Sequence, residues 1–171
     1  LERWALPAVL AAVLATQAVR AVGPIVYDLG HEMTSAKAFG RLLRTGWRDA
    51  IVMGEPDDAL ESLPYYAPNR IYIPRERRFG DWTRFTLANQ PEMSLGEIVR
   101  AGMALRRATG KPVLLAFGHV FRGHRRLRFS HLGRRVFTWS DEDMALFRRE
   151  TVPVAAFLDS ATESYRIYSF R

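Results

Sequence analysis

Residues 94–117 read SLGEIVRAGMALRRATGKPVLLAF, and this stretch indicates the fold class. Ser94 and Glu97 have the spacing of a capping box at the start of a helix, and Gly110 is typical of its end. The run Val113–Phe117 is apolar throughout, as in a strand that is covered on both faces. The stretch therefore predicts a helix that leads directly into a buried strand.

The same alternation extends upstream to residue 35. TSAKAFGRLLRTG (34–46) predicts a helix, residues 50–53 a buried strand, and RIYIP (70–74) a second strand. Helices that alternate with apolar strands are typical of βαβ units on a parallel sheet. We predict an α/β fold with a short, mostly parallel sheet and flanking helices in a Rossmann-like three-layer arrangement, preceded by an apolar N-terminal helix.

The C-terminal third adds further elements. RLRFS (126–130) and RRVFTW (134–139) predict a hairpin with phenylalanines in the core and arginines in water. SDEDMALFRRE (140–150) predicts a helix with acids in its first turn and arginines in its last. Residues 152–158 fit either a helix or a strand, and ESYRIYSFR (163–171) predicts a strand.

The run between Arg3 and Arg20 carries no charge and lacks a polar stripe. A helix of this kind needs burial in protein or in lipid. Its uncharged part would cover about 24 Å, whereas a bilayer core needs ~30 Å. We interpret residues 1–22 as the end of a transmembrane helix that stops at Gly23-Pro24. A helix buried in a soluble protein and a signal peptide are the alternatives.

Residues 23–171 contain no linker or repeat, and we predict a single α/β domain there. The chain begins with Leu1 rather than Met, and we expect it to be a piece of a longer protein. It has a net charge of +7, almost all of it from arginine, and no cysteine. The charge is compatible with phosphate, nucleic acid or anionic lipid as neighbours, but also with arginine that merely replaces lysine in a GC-rich genome.

Charged side chains follow each predicted strand, at the edge where open α/β sheets bind ligands. Glu55, Asp57 and Asp58 follow the first strand, Arg77 the second and His119 the third. We predict these five as candidate ligand-binding residues. In the alternative interpretation Asp57 only caps a helix and His119 is an incidental loop residue.

No complete catalytic signature occurs in the sequence. There is no GxGxxG, no GxxxxGK[ST] and no GxSxG, so we predict no catalytic residue and no cofactor. We expect no metal site either, because the histidines lack partners at ligand spacing or lie among arginines, which disfavour a cation. The four are His31, His119, His124 and His131.

The segment 121–137 interleaves arginines with phenylalanines. This pattern fits a solvated hairpin face, contact with lipid headgroups or an anionic lipid-linked substrate, or binding of single-stranded nucleic acid. We favour the solvated face first and lipid or phosphate contact second. Nucleic acid comes last, and we do not expect it as a partner.

A resemblance follows from the order of QAVRAVGP, YDLGHEMTSAKAFGRLL, RDAIVMGEPD, ALESLPYYAPNRIYIP and GKPVLLAF. This layout resembles the soluble tail after the last span of bacterial multi-pass membrane proteins, the polyprenyl-phosphate-dependent, mannosyltransferase-like sugar transferases. In that family the catalytic acids lie in loops between early spans, so no catalytic residue is carried over to this chain.

The resemblance implies an accessory extracytoplasmic domain on the bacterial inner membrane, not catalytic by itself. Its partners would be membrane lipid, the upstream spans of its own chain and a lipid-linked sugar. The alternative function is a free-standing α/β enzyme or small-ligand binder that uses the carboxyl edge of the sheet.

Overall fold

The structure, a computed structural model, describes residues 2–30, 34–84, 89–118, 121, 126–129, 135–158, 160 and 163–171. The chain divides into two compact units, Leu1–Met33 and Thr34–Arg171.

The first unit consists of one helix, α1 (Glu2–Gly30). The prediction that Gly23-Pro24 ends this helix is wrong, because α1 continues through both residues. A proline inside a helix lacks one backbone donor and crowds the carbonyl four residues before it, and for this reason the sequence pattern predicted an end that the structure does not have. Thr16 fits the apolar run because its hydroxyl donates to the carbonyl of Ala12 at 2.8 Å, which satisfies the hydroxyl within the helix.

The second unit combines helices with strands. Its helices are α2 (Ala36–Gly46), α3 (Leu95–Thr109) and α4 (Asp141–Glu150), and its strands are β1 (Ile51–Glu55), β2 (Tyr72–Ile73), β3 (Arg78–Phe79), β4 (Glu92–Ser94), β5 (Val113–Phe117), β6 (Arg126–Phe129), β7 (Arg135–Thr138), β8 (Thr151–Phe157) and β9 (Tyr165–Phe170). Short 3-10 turns occur at Asp58–Leu60, Leu63–Tyr65 and Pro74–Glu76.

The largest sheet has the strand order β1-β5-β9-β8. β1 and β5 are parallel, whereas β5 with β9 and β9 with β8 are antiparallel. The α/β class and the apolar N-terminal helix are thus confirmed, but the mostly parallel sheet is not. The alternation of helix and strand ends after β5, and the last two strands enter the sheet as an antiparallel pair. The ambiguous residues 152–158 belong to β8.

Two smaller sheets are formed by strands that lie between β1 and β8 in the sequence. β2 pairs with β3, and the other sheet has the order β4-β7-β6. β6 and β7 are antiparallel, which confirms the predicted strand pair, while the turn between them lies outside the described residues. β4 adds to β7 in parallel, a pairing that no local pattern indicated.

Both faces of the main sheet are covered by apolar side chains. On one face, residues such as Val52 and Ile167 pack with Phe39 and Leu43 of α2. The other face carries a second cluster, with side chains from β1, β5, α3, β7 and α4: Met53, Leu115, Ile98, Phe137 and Phe147. This double coverage explains why Ile51–Met53 of β1 and the whole of β5 are apolar.

Capping side chains fix the starts of the helices. Ser94 and Glu97 form the predicted capping box of α3, and Ser140 forms one with Asp143 at α4. The start of α2 differs, since Ser35 makes no capping bond. There the hydroxyl of Thr34 accepts a hydrogen bond from the backbone N–H of Ala36 at 3.0 Å.

Candidate functional site

The carboxyl end of β1 holds a buried ion pair. Glu55 is the last residue of β1, and its side chain is 1% exposed. Arg75, from the turn Pro74–Glu76, donates from Nε to Glu55 Oε2 at 3.0 Å and from Nη2 to Oε1 at 2.6 Å. The guanidinium therefore holds the carboxylate in the two-pronged geometry that makes such pairs strong.

Arg75 also makes three bonds to backbone carbonyls. Its Nη1 donates to the carbonyls of Gln90 and Pro91 at 3.0 and 2.9 Å, and its Nη2 donates to that of Val136 at 3.1 Å. A guanidinium has five N–H donors, and these contacts use all five. The side chain has no donor left for a ligand, so its role is to join β1 to the segments before β4 and along β7.

A second ion pair lies beside the first. Asp57 caps the turn Asp58–Leu60, since its Oδ1 accepts from the backbone N–H of Asp58 at 3.1 Å. The same oxygen accepts from Nη1 of Arg135. The capping interpretation of Asp57 is therefore confirmed. Arg135 is only 6% exposed, so the prediction that the hairpin arginines lie in water is wrong for this residue.

Burial dominates the electrostatics of both acids. It raises the pKa of Glu55 to about 7, although the hydrogen bonds and charge of Arg75 oppose the rise. Burial also raises the pKa of Asp57, and the charge of Arg135 opposes that shift. The charge of Asp57 further raises the pKa of Glu55, and the charge of Asp58 further raises that of Asp57. Two acids and two arginines thus lie together at the end of β1, with Asp58 beside them.

The five predicted ligand-binding residues do not form one site. Glu55, Asp57 and Asp58 are together at the end of β1, and Asp58 begins the turn Asp58–Leu60. Arg77 lies after the turn Pro74–Glu76 in the left-handed conformation, with φ 52°, and its side chain is exposed. His119 lies outside the described residues.

Arg77 instead borders a cleft of about 530 Å³. Glu76 is the acidic residue in its lining and accepts from Nε of Arg78 at 2.5 Å. Arg84 is exposed and lies over the ring of Trp82 at 5.5 Å. The lining is strongly basic overall and comprises Arg75, Glu76, Arg77, Arg78, Arg84, Asn89 and Gln90.

Arg75 and Arg135 are the residues that the sequence analysis did not single out. One feature of the sequence nevertheless indicates that cationic partners exist. Glu55 and Asp57 follow an apolar strand that is covered on both faces, and acids buried at such a place need cationic partners. The sequence offers many arginines, however, and nothing local says which of them reach the end of β1.

Among the described residues, no group of three side chains of the metal-binding types lies together. Comparisons of the chain with known protein families, with curated proteins and with solved structures returned no match.

Proposed function

We propose that α1 anchors the chain in a membrane and that the unit Thr34–Arg171 is a non-catalytic accessory domain. The observation that carries this proposal is the composition of α1. Its window Leu6–Gly23 has a mean hydropathy of 1.6, and none of it is buried in the structure. Exposed apolar side chains such as Leu10 and Leu14 are costly in water and favourable in hydrocarbon.

The length of α1 supports the same proposal. Its 29 residues correspond to about 44 Å at ~1.5 Å per residue, which exceeds the ~30 Å of a bilayer core. The residues that α1 adds beyond Arg20 are mostly apolar, and the long side chain of Arg20 can extend toward the headgroups. A helix of this length spans a bilayer with turns to spare at either end.

The accessory role is supported by the ion-pair cluster. Arg75 uses all five of its N–H donors in hydrogen bonds to Glu55 and to backbone carbonyls. This arrangement is typical of an arginine that stabilises the fold. A general acid or base needs access to the proton that it moves, and Glu55 is buried. The parent protein, by the resemblance given above, would be a bacterial sugar transferase that uses lipid-linked donors.

Extraction of membranes at alkaline pH tests the anchor. The full chain, expressed with a start methionine, is expected to stay in the pellet with its full mass. V13R/L14R adds two arginines in the middle of α1, at a cost of about 5–7 kcal/mol, and should release the chain. The control Y65R/L158R changes two exposed apolar residues of the other unit and should stay in the pellet.

Release of the unaltered chain would refute the anchor, and loss of the first twenty or so residues from the mature mass would identify a signal peptide. Turnover of a lipid-linked sugar by the purified chain would refute the accessory role.

The side of the membrane is a separate part of the proposal. The resemblance places the domain outside the cytoplasm, in the inner membrane of a bacterium. The basic residues soon after α1 favour the opposite side, because cytoplasmic flanks are enriched in Lys and Arg. The chain has no cysteine, so D49C introduces a single thiol for labelling. An impermeant maleimide should react in intact cells if the domain is extracytoplasmic, and only after lysis if it is not.

The basic cleft favours a second candidate function, binding of an anionic small ligand. Within the described residues, the side chains of its exposed arginines, Arg77 and Arg84, form no ion pair. Glu76 pairs with Arg78 and accepts from the backbone N–H of Arg84. Titration with inorganic pyrophosphate is expected to raise the unfolding temperature of the full chain, and R77Q/R84Q should abolish that rise. An equal rise in R77Q/R84Q, or no rise at all, would exclude the cleft as an anion site.

A further inference from the structure

One face of α2 is basic. Lys37, Arg41 and Arg44 of α2 follow one another at spacings of four and three residues, and Arg48 lies two residues beyond the end of the helix. Residues at such spacings lie on one side of a helix. All four are exposed, and α2 itself contains no acidic residue. We name these four residues the basic face.

The opposite face of α2 is committed to the domain core. Phe39 and Leu43 are fully buried there, and Gly40 lies against Tyr66, where a Cβ would be 2.5 Å from the Cβ of that tyrosine. The helix is therefore fixed in the domain by its apolar side. Its basic face must interact with something outside the core or with water.

The described residues do not neutralise the basic face. No ion pair involves it within the described part of the chain. Arg44 donates to the carbonyl of Tyr66, and Arg48 donates from Nε to the carbonyl of Arg44 at 2.8 Å. Both acceptors are neutral, so the positive charges remain available to an anionic surface.

The chain length between α1 and α2 limits how far the basic face can be from a membrane. α1 ends at Gly30 and α2 begins at Ala36. Six residue steps extend to at most about 20 Å. The attraction of basic side chains to anionic headgroups acts over about 10 Å, and a connection this short allows a basic helix that follows a membrane anchor to reach the headgroups.

An exposed aromatic residue lies next to this region. The turn Leu63–Tyr65 packs beside α2, and Tyr65 is 87% exposed. Tyrosine is enriched at the headgroup level of membranes because its ring is amphipathic.

We infer that the basic face of α2 rests on anionic lipid headgroups at the surface of the bilayer that α1 spans. This inference depends on the proposed membrane anchor. To that proposal the inference adds a partner for the domain, a phosphate-bearing lipid surface, and names the residues that contact this surface. Each basic residue close to such a surface raises about fivefold the ratio of domains that contact the membrane to domains that do not.

The test uses the full chain in nanodiscs of phosphatidylcholine, with or without phosphatidylglycerol. T45C, at the exposed end of α2, carries a fluorophore, and a headgroup spin label quenches it on close approach. Quenching is expected to be strong with phosphatidylglycerol, weak without it, and weakened by high salt. In K37Q/R41Q the ratio of contact to no contact should fall about 25-fold.

The matched control is R100Q/R107Q, which removes two exposed arginines from α3 and should leave quenching unchanged. The inference would be overturned, and the anchor left intact, if quenching were equal with and without phosphatidylglycerol. The same conclusion would follow if quenching fell equally in K37Q/R41Q and R100Q/R107Q. A chain that does not co-elute with nanodiscs would overturn the anchor itself, and the inference with it.

Discussion

The buried pair of Glu55 and Arg75 gives the sharpest prediction of stability. In R75M a side chain of similar length without donors replaces the guanidinium. Glu55 then loses both hydrogen bonds and its compensating charge, while three backbone carbonyls lose their donor. The substitution changes no other residue of the site and adds no bulk, so the effect reports mainly on the lost guanidinium.

The expected loss of stability in R75M follows from the carboxyl group of Glu55, which stays buried without its partner. Removing one partner of a buried ion pair costs about 3–5 kcal/mol, because the other charge stays buried. For a unit of this size that loss lowers the unfolding temperature by about 10–20 °C. The control R149M breaks the exposed pair of Arg149 with Glu150, and such pairs contribute roughly 0–1 kcal/mol.

The pH dependence has a definite sign. Burial raises the pKa of Glu55 to about 7, and Arg75 opposes the rise, so R75M should raise the pKa further. A carboxyl group with a raised folded pKa binds a proton on folding, and its contribution to the free energy of unfolding falls as pH increases. The destabilisation of R75M should therefore be larger at pH 8 than at pH 5.

Thermal unfolding of the full chain in mild detergent, followed by tryptophan fluorescence, measures both effects, since Trp139 is buried in the core. Equal stability of R75M and R149M would refute the reasoning, as would a loss in R75M that is the same at pH 5 and at pH 8. In E55L/R75M neither charge of this pair remains, so part of the loss should be recovered.

Three further substitutions test the packing by the same measurement. G54A should cost about 1–3 kcal/mol, because a Cβ there would lie 2.0 Å from the carbonyl oxygen of Ala116; the control G46A meets nothing within 4 Å, and a loss as large as that of G54A would contradict the argument. N69A should cost about 1–3 kcal/mol, since the two N–H donors of Nδ2 are shared among three carbonyls of the loop before β1; an unchanged stability would show that water replaces the amide. S94A should cost about 1 kcal/mol through loss of the α3 cap, and a neutral result would mean that packing alone starts the helix.

The sequence predicted the elements whose signals are local. α3 and β5 followed from a capping box and an apolar run, and both lie where expected. The direction of strand pairing could not be predicted in the same way. An apolar run shows that a strand is covered on both faces, but not which strand lies beside it or in which orientation.

The ion-pair cluster illustrates the same limit. The acids were identifiable because they follow β1 directly. Their partners are 20 residues away for Glu55 and 78 residues away for Asp57. Such separations leave no trace in local spacing, and only the folded chain shows which arginines are close enough.

The position of β9 has a consequence for biosynthesis. β9 lies between β5 and β8, yet β5 leaves the ribosome about fifty residues earlier, which at ~5–20 residues per second means several seconds of translation. During that interval the nascent chain presents the strand VLLAF (Val113–Phe117) with an unfilled edge. Strand edges without a partner pair with strands of other chains. During these seconds the nascent chain is therefore prone to aggregation, and chaperone binding competes with that process.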